Sequence, residues 1–435
     1  MTKPPTSRKK LTRRNFISLG GGMAALAGVN LLPAMAKVLA NPAPVQAAIV
    51  AAPPMATSTN IHLVGTDGWI YLPGPSSIVG DTPPRTVYPD PLAPGGRTTY
   101  IFGFRNVTGL SSTAVNDQKG KAQAPAPLLY VDQEADVRIT LTNLGLQVRP
   151  DLVDSHTIHW HGFRNAIPLF DGVPEMSIAV PIGRDFTYYY KPHDPGTYMY
   201  HCHFEDVEHV QMGMTGVVFV RPAMNTPTQK YVYNDASTAY DREFVIFLTE
   251  LWASAHYDDA HIQVSDWSEY SPDFWLMNGR CFPDTLQPAG DPLTIPGQPV
   301  LQYQPISSLV KANAGERVLL RFVNLGYQQH AMTLDGLSMR IVGKDATLLK
   351  GLGTTNPQIR NGADVSYETN TVYIGPGESY DAIFTAPNVT TDTTYLLYNR
   401  KFMYLNNGGT GTGGQMTEVR ISPAGTLSPQ AAPNT

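Results

Sequence analysis

The chain has 435 residues with 31 Lys and Arg against 36 Asp and Glu, a formal net charge of -5, and only 15% charged residues. A mildly acidic balance lacks the basic footprint of a nucleic-acid binder, so no nucleic acid is expected as a partner. With 38 glycines, 37 prolines and 22 tyrosines, the composition suits short strands joined by turns rather than long helices.

In chain order, the first element is Thr12-Arg13-Arg14-Asn15-Phe16-Ile17 followed by an apolar, Gly/Ala-rich stretch from Leu19 to about Leu32. A basic start, a short apolar core and small residues near Ala36 and Ala40 read as an export signal, and the paired arginines as the twin-arginine route. That route carries folded proteins, which suits a protein loaded with a cofactor before export. The stretch is broken by glycines and shorter than the ~20 residues of a membrane span, so an anchor is disfavoured. The expected layout is a signal over 1–40, a linker over 41–57 and a periplasmic or secreted protein.

The most informative segment follows: His156-Thr157-Ile158-His159-Trp160-His161-Gly162, then His201-Cys202-His203, His209 and Met214. One thiolate, two imidazoles and a distant thioether form the ligand set of a blue (type 1) copper, a trigonal site that serves both Cu(I) and Cu(II) with little rearrangement. His156, Cys202, His209 and Met214 are assigned to it, with Met212 as the rival axial ligand. His159 and His161 stand two apart, as do His201 and His203, so on strands each pair shares one face while the residue between points to the other. Those four histidines can hold a second copper cluster (type 2/type 3), with Cys202 as a covalent link between the two centres. A Cys202–Cys281 disulfide is the competing use of the only two cysteines, but the flanking histidines mark Cys202 as a metal ligand. Cys281 reads as a small buried thiol.

These motifs, with Asp171-Gly172-Val173-Pro174, Val180-Pro181-Ile182-Gly183 and the run Gly196-Thr197-Tyr198-Met199-Tyr200-His201, resemble the multicopper oxidase family over nearly all of the chain after the first sixty residues. The resemblance implies an all-β protein of two tandem cupredoxin-like Greek-key β-sandwiches. It is closest in pattern to two-domain, laccase-like members whose blue copper lies in the first domain. It also implies dioxygen as electron acceptor, a small-molecule or metal-ion reductant or a redox protein as donor, and Cys202 and His209 as the residues that carry electrons inward.

A degenerate repeat divides the chain. Val137-Arg138-Ile139-Thr140-Leu141-Thr142-Asn143-Leu144-Gly145 recurs as Val318-Leu319-Leu320-Arg321-Phe322-Val323-Asn324-Leu325-Gly326, each alternating like a half-buried strand before an Asn-Leu-Gly turn. Two sandwiches are expected, 58–224 and 240–425, joined by a linker over 225–239 and followed by a tail over 426–435. In the second, His156, His159 and His161 correspond to His330, Thr333 and Asp335. Tyr200-His201-Cys202-His203-Phe204 corresponds to Tyr398-Asn399-Arg400-Lys401-Phe402. Charged Arg400 and Lys401 cannot ligate a cation, so the second copy reads as structural and His330 as a buried relic.

A complete trinuclear centre in the resembled family uses eight histidines, and one chain offers four. Two first domains facing each other across a two-fold axis would supply eight, so a homo-oligomer is expected if the cluster is full. Two other readings stay open: a copper nitrite reductase-like enzyme with a type 2 copper on His161 and His201, and a blue copper electron carrier with an incomplete cluster. The nitrite reductase reading is the weaker of the two enzymes, because His159 stands where that family carries an aspartate and His203 is surplus. Glu205, Asp206 and Glu208 run directly into His209 and could attract a cationic reductant. His62, His193, His256 and His261 have no partner spacing and read as surface or hydrogen-bonded residues.

Overall fold

The computed structural model describes residues 56–81, 84–289, 301–353 and 360–435. The export signal and nearly all of the 41–57 linker lie outside the described residues.

Four larger sheets are formed among the described residues, in two pairs. The first pair orders its strands Thr99–Asn106, Ser58–Ile70, Asp136–Asn143, Asp185–Tyr190 in one sheet and Leu129–Asp132, Thr215–Arg221, Gly196–His201, His159–His161 in the other. The second pair repeats that order. Phe274–Met277, Arg242–Leu251, Arg317–Asn324 and Ser379–Thr385, extended through Met339–Lys344, face Val310–Asn313, Met416–Ser422, Thr393–Asn399 and His330–Leu334, with Thr371–Ile374 added. Even the parallel pairings recur at equivalent places: Ser58–Ile70 with Asp136–Asn143 and Arg242–Leu251 with Arg317–Asn324, then Leu129–Asp132 with Thr215–Arg221 and Val310–Asn313 with Met416–Ser422. The protein is all-β, built from two β-sandwiches in tandem.

The sequence repeat explains the match. In Asp136–Asn143 the alternation is realised residue by residue, with Val137, Ile139 and Leu141 buried in the first core. At its end the Asn143 amide donates to the Asp154 and Val180 carbonyls and accepts from Gly145 N–H; Asn324 makes the same bonds to Gln328 and Ile374 carbonyls and from Gly326 N–H. One side chain thus closes the turn and ties down the strand edge where His156 or His330 sits.

The second copy departs from the half-buried expectation. Val318, Leu320 and Phe322 fill the second core, but the opposite face of the same strand is buried too. Val323 packs with Met199 and Val217 of the first sandwich, and Arg321 reaches Thr197 at the start of the strand that ends in His201. A face that packs on another sandwich is screened from water as fully as a core face.

The ladders also correct the alignment of the metal-bearing strand. Cys202 N–H donates to Met214 O, and Asn399 N–H to Gln415 O; His201 pairs with His159 and Thr215, while Tyr398 pairs with Thr333 and Met416. Asn399 is therefore the counterpart of Cys202, Tyr398 of His201 and Arg400 of His203, one residue from the correspondence that the sequence suggests. Matching Tyr200 to Tyr398 by identity misplaced the register, because hydrogen bonding and not side-chain likeness sets it.

Candidate metal centres

The strand Gly196–His201 delivers His201, and the chain continues straight into Cys202 and His203. Alternation does the sorting. Cys202 points into the first core and is fully buried, while the rings of His201 and His203 turn toward His159 and His161.

On the core side, donor atoms of His156, Cys202 and His209 all lie within 4.8 Å of one another, and all three residues are buried. Cys202 Sγ stands 3.3 Å from His209 Nδ1 and accepts from Thr157 N–H at 3.4 Å. Burial alone would raise the Cys202 thiol, but His209 and His156 beside it hold it well below the usual thiol range. Burial would likewise lower His209, yet the Cys202 thiolate and then Asp154 push it up to about 10. Both ring nitrogens of His156 and Nε2 of His209 are buried without a hydrogen-bond partner. Orphaned buried nitrogens around a depressed thiol are costly as they stand, and a soft cation resolves that cost. The residues therefore fit a copper ion.

Met214 shares this pocket. A Cβ built on Gly65 would meet His156 Cδ2 at 2.7 Å and Met214 Cε at 3.4 Å, so Gly65 is the floor beneath both. Met212 is also fully buried, at the end of the helix Asp206–Met212 that carries His209. Gly65→Ala is expected to push the His156 ring from its place and to cost about 1–3 kcal/mol of stability. A lowered denaturant midpoint in the copper-free protein and a weakened blue absorption after copper loading would show it.

On the other side, donor atoms of His159, His161 and His201 lie within 4.8 Å of one another. His203 stands outside that group, although its ring centroid is 5.1 Å from that of His159 and 5.5 Å from that of His201. Two backbone carbonyls orient the rings. His159 Nδ1 meets Asp171 O at 2.6 Å and His201 Nδ1 meets Cys202 O at 2.8 Å, which leaves each Nε2 to the cluster. Burial pushes His201 down to about 3 and lowers His159 and His161, so their lone pairs stay free at neutral pH. Gly377, from the second sandwich, closes over this set: a Cβ there would come 3.1 Å from His161 Nε2.

Three further residues complete the picture, and sequence reading missed them. They are Gly65, Gly377 and Asp154, whose Oδ2 lies 3.6 Å from His209 Nε2. Asp154, Glu205 and His209 bring donor atoms within 4.8 Å of one another. The His209 edge is thus covered by carboxylates and fully buried. Glu205 adopts φ 46° to start the helix, and behind it burial raises Glu208 and pushes Asp259 up to about 8.

Four of the remaining histidines are bonded elsewhere: His62 to Thr142, His193 to Glu134, His256 to Tyr100 O and His261 to Asp90. Cys202 and Cys281 are both free and buried, with Cys281 raised well above its usual value by burial.

Tandem β-sandwiches with a His/His/Cys pocket on one side of a strand and a histidine cluster on the other define a cupredoxin-type copper protein. The chain belongs to the multicopper oxidase family: models described as multicopper oxidase match residues 112–225 and 242–419, together more than half of it. Members of that family bind copper. Among curated proteins it is similar to Laccase 1 of Metarhizium robertsii, 28% identical over 199 residues, 43% of this chain and 29% of that protein. It is also similar to Laccase-3 of Botryotinia fuckeliana, 26% identical over 269 residues, 60% of this chain and 48% of that protein. The chain thus matches less than half the length of these relatives. In fold it resembles the blue copper oxidase from Nitrosomonas europaea, with a TM-score of 0.58, 23% identity and coverage of 83% of this chain and 85% of that one.

Proposed function

We propose that this protein is an exported, laccase-like multicopper oxidase. His156, Cys202, His209 and Met214 would hold a type 1 copper, and His159, His161, His201 and His203 part of a type 2/type 3 cluster. Copper bound at these places supplies one-electron oxidation of a reducing substrate and reduction of dioxygen to water. The observation that carries the reading is the back-to-back arrangement: Cys202 lies in one donor set while its chain neighbour His201 lies in the other, with the His203 ring turned toward His159 beside it.

The residues themselves do the rest. Cys202 joins the two sets by a few covalent bonds, His159 and His201 are aimed by backbone carbonyls, and the apolar core around Cys202 and Met214 excludes water. The half-exposed His203 leaves the cluster open on one side, and a second copy of the chain is the proposed source of the missing histidines. The paired arginines Arg13 and Arg14 support export by the twin-arginine route, to the periplasm or beyond.

Copper per chain, mass in solution and the electron paramagnetic spectrum test the proposal together. About five coppers per two chains, with blue and type 2 signals, is the expected result. About one blue copper per chain would instead mean an electron carrier. The grouping of only three histidines also suits a single type 2 copper, and about two coppers per chain in a trimer would mean the nitrite reductase-like arrangement.

The acidic cover over His209 supports a cationic reductant such as a metal ion or an amine-bearing phenol. Glu205→Gln with Asp206→Asn is expected to raise KM for a cationic donor on the order of threefold and to leave an anionic donor unaffected. An equal change for both donors would sink this reading of the surface.

A further inference from the structure

The second sandwich holds a vacated copy of the type 1 pocket, and its contents point back to the working one. Gly65 pairs with Asn143 and Leu248 with Asn324 at the same point of the two parallel ladders, so two residues further on Asp67 and Glu250 are counterparts. Asp67 accepts from Gln147 N–H and the Tyr100 hydroxyl; Glu250 accepts from Gln328 N–H and the Tyr270 hydroxyl. By the same ladders His330, Asn399 and Gln415 take the places of His156, Cys202 and Met214.

There the Asn399 amide donates to Gln415 Oε1 at 2.7 Å and to His330 Nδ1 at 3.2 Å. That bond fixes the His330 proton on Nε2, which faces Glu250 Oε2 at 3.5 Å with both side chains fully buried. An amide-bridged cluster occupies the locus where the first sandwich has its ligands, and it ends on Glu250.

Glu250 also faces the first sandwich. Its carbonyl accepts from Gln211 Nε2 at 3.1 Å, and the Tyr270 hydroxyl lies 2.8 Å from Gln211 Oε1 and 3.1 Å from Glu250 Oε1. Tyr327, whose N–H donates to Glu250 Oε1, gives its hydroxyl to Val207 O. Val207 and Gln211 flank His209 by two residues on either side. Their helix has seven residues, begins at a left-handed Glu205 and has no side-chain cap, so it is weak by itself.

We propose that the second sandwich, through Glu250, Tyr270 and Tyr327, positions the helix that carries His209 and thereby sets the geometry of the first sandwich's metal centre. The inference rests on His156, Cys202 and His209 being the copper site. Gln211, Tyr270 and Tyr327 are positioning residues, and the His330–Asn399–Gln415 cluster backs Glu250 from behind.

Tyr270→Phe and Tyr327→Phe each remove one hydroxyl and keep the ring, and Gln211→Ala cuts the links to Tyr270 and the Glu250 carbonyl from the helix side. In the copper-free protein each is expected to speed amide exchange over 206–212 about tenfold while leaving Asp136–Asn143 unchanged. After copper loading, each is expected to shift the blue band and the reduction potential at unchanged copper content. Unaltered exchange in all three variants overturns the proposal, as does faster exchange with an unmoved band and potential. Failure of the unaltered protein to bind blue copper defeats the copper reading itself, whereas normal binding with unmoved variants defeats this inference alone.

Discussion

Cys202→Ser is expected to abolish the blue absorption and to reduce donor oxidation to the level of the copper-free protein. The substitution keeps the shape of the side chain and the Cys202 N–H bond to Met214 O, so the strand that delivers His201 and His203 stays in place. The donor changes. A serine hydroxyl does not ionise near neutral pH, whereas His209 and His156 hold the Cys202 thiol well below its usual range, ready to bind as thiolate. The charge and softness that mark a type 1 site go with the sulfur. His159, His161 and His201 are untouched, and His159 and His201 are oriented by carbonyls rather than by Cys202 Sγ, so a type 2 signal is expected to survive. Optical absorption, spin resonance and oxygen consumption on one preparation check all three points. Residual blue colour would remove Cys202 from the site, and loss of every copper signal would mean that the two donor sets fold as one.

The chemistry of the site was legible because its residue types are rare and their spacing matches strand geometry. His-x-His and His-Cys-His sort themselves across a strand whatever the rest of the protein does. The repeat was legible for a related reason: Asn143 and Asn324 close identical turns, and the bonds that they make keep the motif recognisable. Residues whose role depends on distant chain could not be found this way. Gly65 stands ninety-one positions before His156, and Gly377 lies in the other sandwich; neither carries a local signal. Asp154 is near His156 in sequence, yet only the turn clamped by Asn143 brings it to His209. The one-residue offset of Asn399 against Cys202 was hidden because tyrosines at 200 and 398 suggested the wrong match.

Arg321→Met is expected to cost about 3–5 kcal/mol of stability. Arg321 is fully buried and donates to Glu243 Oε2 through Nε and Nη2 at 3.1 and 3.0 Å, to Thr197 Oγ1 at 2.8 Å and to Asp381 Oδ1 at 3.4 Å. Its guanidinium lies 4.2 Å from the centre of the Phe219 ring. Removing it strands two buried carboxylates between the sandwiches, and that uncompensated charge accounts for the loss more than the pair's net attraction does. Met fills comparable volume, so packing is the smaller part. Adding Glu243→Gln and Asp381→Asn to Arg321→Met is therefore expected to recover most of the stability, measured by denaturant unfolding of the copper-free protein. No recovery would mean that the cost is one of shape. Because Thr197 opens the strand that ends at His201, the single variant is also expected to loosen the histidine cluster, and weaker copper retention there would place this ion cluster in the support of both centres.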